Sequence, residues 1–167
     1  MKCTAAGRGL FRAATVIGLL LIGTTASATH IVGANIQYTC IAPGSYEVSL
    51  RIYRDCSGIT LPTTATITAT DTCGTSLTAT LPQDTVMDIS PVCAAQIGQN
   101  ACNGGLLSGY ELVVYKDTVM LNQNCAQWAL SWTTCCRNAG ITNIGGGNAI
   151  YVESILNIAN QPCNHSA

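Results

Sequence analysis

Charge is what this chain has least of. Asp, Glu, Lys and Arg together make up 9% of its 167 residues, against about 25% in an ordinary soluble domain. Only seven residues are basic, and Lys2, Arg8 and Arg12 cluster before an apolar run near the start. The others, Arg51, Arg54, Lys116 and Arg137, stand singly. With no basic patch to neutralise phosphates, nucleic acid is not an expected partner. After Gly23 no apolar run is long enough to cross a bilayer as a helix. No GxSxG, GK[ST] or EF-hand loop occurs, which argues against a serine hydrolase elbow, a phosphate loop and that class of calcium site. Amphipathic helical periodicity, βαβ alternation and 20–50-residue repeats are missing as well.

What is present begins with a leader. Lys2, Arg8 and Arg12 precede Ala13–Gly23, an apolar run of signal-peptide length and short for a membrane span. Ala26-Ser27-Ala28 then offers small residues at the positions a signal peptidase reads. The expected organisation is a signal peptide over 1–28 and a single domain over 29–167, secreted or displayed on the cell surface. Four bases against eight acids leave that domain at a net charge of −4. No Cys follows the apolar run at a lipidation site, so no N-terminal lipid anchor is expected, and Cys3 leaves with the leader.

Nine cysteines then remain: Cys40, Cys56, Cys73, Cys93, Cys102, Cys125, Cys135, Cys136 and Cys163. In an exported chain this density predicts a disulfide framework. Zinc would need pairs separated by two to four residues, and the spacings do not provide them. Cys93 and Cys102 bracket a Gly/Asn/Gln-rich loop and form the expected local pair. Adjacent strand residues point to opposite faces, so Cys136, in phase with Trp128, Leu130 and Trp132, should face the core and Cys135 away from it. The odd count points to truncation of a longer protein.

Val, Ile and Thr dominate the remainder, as strands require. Strands are expected over Ile31–Ile41 and Ser45–Asp55, joined as a hairpin by Ala42-Pro43-Gly44. Others are expected over Ser76–Leu81, Thr85–Ile89, Gly109–Leu121, Gln127–Cys136 and Ala149–Ile158. The Thr/Ala run Thr63–Thr70 fits an exposed or edge strand, Ser90–Ser108 a long loop, and Gly145–Gly147 a flexible tip. About eight strands without helices predict an all-β, disulfide-stapled antiparallel β-sandwich of Ig-like type.

Candidate chemistry is thin. His30 could bind copper through an N-terminal amine and its ring, but it needs a second histidine, and only His165 remains. Glu47, Glu111 and Glu153 are placed on solvated strand faces rather than in a glycosidase pair. Asp55, Asp71, Asp84 and Asp88 fit turn capping. Arg137 and Asn138, directly after the double cysteine, fit a structural corner. Tyr53, Tyr115 and Tyr151 are assigned to one outward aromatic face, and Trp128 and Trp132 to the core. No catalytic residue, cofactor or metal is expected.

Several segments together resemble the opening module of exported Bacteroidota proteins labelled gliding-motility-associated or PKD-domain-containing. They are Thr29–Ile36, Arg54-Asp55-Cys56-Ser57-Gly58, Ser90-Pro91-Val92-Cys93, Gly109–Leu121, Trp128–Trp132 and Cys135–Asn143. The resemblance implies an N-terminal module of a long surface protein, reached through the periplasm and the type IX secretion route. The expected function is a non-enzymatic structural or adhesion module. Carbohydrate binding is the alternative, and a copper-dependent glycan-active enzyme a more distant one. Expected partners are other surface proteins or extracellular glycans, with self-association through an edge strand.

Overall fold

The computed structural model describes residues 30–121, 125–135, 149–158 and 163–166. The expected leader, Cys136, Arg137, Asn138 and Gly145–Gly147 lie outside the described residues. Seven strands follow in chain order: β1 (Ile31–Ala42), β2 (Ser45–Asp55), β3 (Thr64–Asp71), β4 (Ser76–Asp88), β5 (Tyr110–Met120), β6 (Gln127–Thr134) and β7 (Ile150–Asn157). All pairings are antiparallel, in the order β1-β2-β5-β4-β3-β6-β7. The all-β antiparallel fold read from the sequence is the fold observed.

β1 and β2 form the expected hairpin, with Ala42 opposite Ser45 across Pro43-Gly44. Gly44 has φ 82°. Pro presets the first turn position and Gly supplies the positive φ of the second, the type II combination.

β4 explains why one sheet behaves as two layers. Its first half, Ser76–Pro82, pairs with β3, and its second half, Gln83–Asp88, pairs with β5. Pro82 lacks an N–H, and the register slips between Gln83 and Thr85. Such irregularities bend a strand and let it pass from one layer to the next. The two short strands expected here are therefore one strand, and the count is seven rather than eight. One layer is β1-β2-β5 with the end of β4, and the other is the start of β4 with β3-β6-β7. The sheet nearly closes where Tyr38 Oη on β1 donates to the Ile155 carbonyl of β7 at 3.1 Å.

The core lies between the layers. β2 buries Tyr46, Val48, Leu50 and Ile52 in strict alternation, β5 buries Val113 and Tyr115, and β6 buries Trp128, Leu130 and Trp132. β3 corrects the edge-strand expectation, because it lies between β4 and β6. Ala65, Ile67 and Ala69 point inward, and the threonines between them are more exposed. Ala69 sits opposite Leu130, so the two tryptophans are its diagonal neighbours. A small residue there leaves them room.

Candidate functional site

The densest polar chemistry gathers at one end of the first layer, where β1 starts, β2 ends and β5 starts. The Asp55 N–H donates to the His30 carbonyl at 3.0 Å, and the Cys56 N–H to the Gly109 carbonyl at 2.9 Å. Arg54 continues the inward parity of β2, and Glu111 that of β5; the two are register partners. Their side chains are 7% and 15% exposed, with Arg54 Nε donating to Glu111 Oε1 at 2.7 Å. Arg54 Nη1 donates to the carbonyls of Gly58 at 2.9 Å and Ile59 at 2.7 Å. The planar guanidinium thus ties a strand to the loop that leaves it, which a lysine could not do. Glu111 does not lie on the solvated face expected for it, because its position alternates in phase with the buried Val113 and Tyr115.

Each residue of Arg54–Gly58 has a structural task. Asp55 Oδ1 accepts from the Ser57 N–H at 2.9 Å and from Ser57 Oγ at 2.8 Å. Cys56 is bridged to Cys102. A Cβ on Gly58 would lie 2.7 Å from the Cβ of His30, a contact that requires something to shift. Ser57 Oγ also lies 3.4 Å from His30 Nδ1, which assembles serine, histidine and aspartate. The wiring is not that of a nucleophile. The carboxylate accepts from the serine itself, so it neither orients the imidazole nor stabilises an imidazolium.

The loop after β4 is held by a second polar knot. Asn100 is fully buried. Its Nδ2 donates to Asp88 Oδ2 at 2.8 Å and to Ser90 Oγ at 3.0 Å, and its Oδ1 accepts from the Asn103 N–H at 3.1 Å. Asn103 Nδ2 also reaches Asp88 Oδ2, at 3.1 Å. Hydrogen bonds from the Ser90 hydroxyl, then from Asn100 and the Ser90 N–H, pull the Asp88 carboxyl down to about 2. The knot folds the loop into two short 3-10 turns, Ala94–Gln99 and Ala101–Asn103. Cys102 is thereby turned towards Cys56, and the expected Cys93–Cys102 pair does not form. Cys93 is exposed in the loop, outside the three bridges. Sequence proximity misled here because the loop doubles back.

The other two bridges are Cys40–Cys163 and Cys73–Cys125. Cys135 is exposed, as its expected outward direction requires. Among the described residues two clusters of metal-ligating residue types occur, Cys56/Cys102/Glu111 and Asp71/Cys73/Cys125. In both the sulfurs are joined to each other, so they offer no thiolate.

Beside the polar knot, Tyr53 and Tyr110 flank an apolar groove of about 410 Å³ with Val32, Gly33, Ile89 and Pro91. Gly33 is the register partner of Tyr53, so no side chain fills the space opposite that ring. The three-tyrosine face is corrected. Tyr115 is buried and donates to the Pro62 carbonyl at 2.7 Å, and Tyr151 lies on β7 in the other layer, hydrogen-bonded to Glu153. His30 precedes β1, whereas His165 bridges to Thr39 near its far end. Nine strand residues separate them by about 30 Å, so they share no metal. Glu47 and Glu111 are seven residues apart in register, about 23 Å, too far for a glycosidase pair. Asp55, Asp71 and Asp88 each cap the backbone N–H two residues on, at 2.9 Å, as expected.

Fold and site together define a disulfide-bonded antiparallel all-β domain whose polar corner is tied by side-chain hydrogen bonds to loop backbone and to neighbouring side chains. Comparison with family models, curated proteins and solved structures finds no match. Among the described residues no helix is long and apolar enough to cross a membrane.

Proposed function

We propose that the chain is a non-enzymatic structural or adhesion module of a bacterial cell surface, of the kind its resemblance to gliding-motility-associated proteins implies. One observation carries this reading. At the end richest in chemistry, Arg54, Glu111, Asp55, Ser57 and Asp88 are all committed to holding loops, and the disulfide crosses the same corner. A catalytic site needs a reactive group with unspent capacity aimed at a space for substrate. Disulfides fit an oxidising exterior. Antibodies against the folded domain should label intact cells; labelling only after permeabilisation contradicts the reading.

Glycan binding is the second reading. Tyr53 and Tyr110 beside the open groove over Gly33 favour it, since aromatic rings offer flat apolar faces with a polar tip. A glycan array separates the two. Retention that Tyr53→Ala and Tyr110→Ala both abolish supports binding, and no retention leaves the structural role.

A further inference from the structure

We propose that Cys40–Cys163 makes this domain a tension-carrying element, routing force past its own fold. This inference rests on the structural reading above. β1 runs from beside His30 to beyond Cys40. Residues 163–166 then run antiparallel to it, with His165 bridged to Thr39. The Tyr38 N–H donates to Ser166 Oγ, and the Ser166 N–H to the Tyr38 carbonyl, both at 2.9 Å. The disulfide beside this pairing joins residues 123 positions apart. β2 to β7 and both other bridges lie inside the covalent loop it closes.

Force applied at His30 and Ser166 therefore has a short covalent route: along β1 to Cys40, across one S–S bond, and along the last residues from Cys163. The two chain arms leave the bridge in the same direction, so pulling unzips Ser166 from Tyr38 first. The load then falls on the disulfide. Only the stretches His30–Cys40 and Cys163–Ser166 can lengthen, by less than ~5 nm at ~3.5 Å per residue. With none of the three bridges intact, the bypassed loop would release about 43 nm. Cys56–Cys102 and Cys73–Cys125 interlock within it, since Cys73 lies inside the first span and Cys125 beyond it. They do not lie on the force path while Cys40–Cys163 is intact.

Single-molecule pulling of the chain in oxidising buffer, with handles attached at positions 30 and 166, tests this through the length of each step. The wild type should give no step longer than ~5 nm, and Cys73→Ala/Cys125→Ala should behave like it. Cys40→Ala/Cys163→Ala should give a step of about 25 nm, because the remaining shortest covalent route runs through Cys73–Cys125. Should that variant not fold, adding a phosphine reductant to wild type already under tension supplies the same readout, with long extension only after the reductant. A wild-type step of tens of nanometres under oxidising conditions overturns the inference, as does a folded Cys40/Cys163 variant no longer than wild type. If the wild type extends and intact cells still display the domain, only the force route fails. If it stays short and intact cells lack it, only the surface reading fails.

Discussion

Arg54 is the residue on which the corner depends most. It is a buried cation with one carboxylate and two carbonyls around it, and removing one partner of such a pair leaves the other charge uncompensated. Glu111→Gln should destabilise the domain by about 3 kcal/mol, and Arg54→Lys should recover only part of what Arg54→Ala loses, both read by denaturant unfolding. Asp88 makes a prediction in pH. Its folded carboxyl titrates at about 2, below the ordinary value near 3.8, so folding favours the ionised form. The stability it contributes is complete above about pH 4 and is lost as pH falls towards 2. Asp88→Asn should lower the melting temperature at pH 7 and flatten its decline between pH 4 and 2; an unchanged slope contradicts the role given to the carboxylate. Arg54 and Glu111 each extend an alternating apolar series by one step inward, but charge argues for solvent, and Glu111 is therefore misplaced on the solvated face when the sequence is read alone. Asn100 was not legible, because no periodicity governs a loop folded by its own side chains.

Among the elements, the hairpin, β2, β5, β6 and β7 follow from alternation within a residue or two. β3 and β4 show where that signal stops. A run of Thr and Ala has too little hydrophobic contrast to distinguish an edge from an interior strand, and burial of Ala65 and Ala69 is decided by the tryptophans on β6. Ala69→Leu should therefore cost about 1–3 kcal/mol by overpacking, whereas Thr66→Lys on the outward face should stay within about 0.5 kcal/mol. Equal effects would contradict the facing assigned to β3. In β4, Pro82 reads as a strand breaker, yet its missing N–H falls where the strand changes partners, so two short segments become one.

Among the described residues the molecule is a nearly closed sheet stapled at three places. The sequence announced that disulfides would form, but connectivity is a property of the folded chain, and nine cysteines leave it open. Restricting an unfolded chain across 123 residues is worth about 4–5 kcal/mol by the chain-entropy model, so Cys40→Ala/Cys163→Ala should be the most costly of the three paired deletions in thermal melts. The measurement that bears most directly on the account is peptide mapping of the native protein by mass spectrometry without reduction. The account predicts linked peptides for Cys40 with Cys163, Cys56 with Cys102 and Cys73 with Cys125. Recovery of Cys102 joined to Cys93, or of these six as reduced thiols, would contradict it.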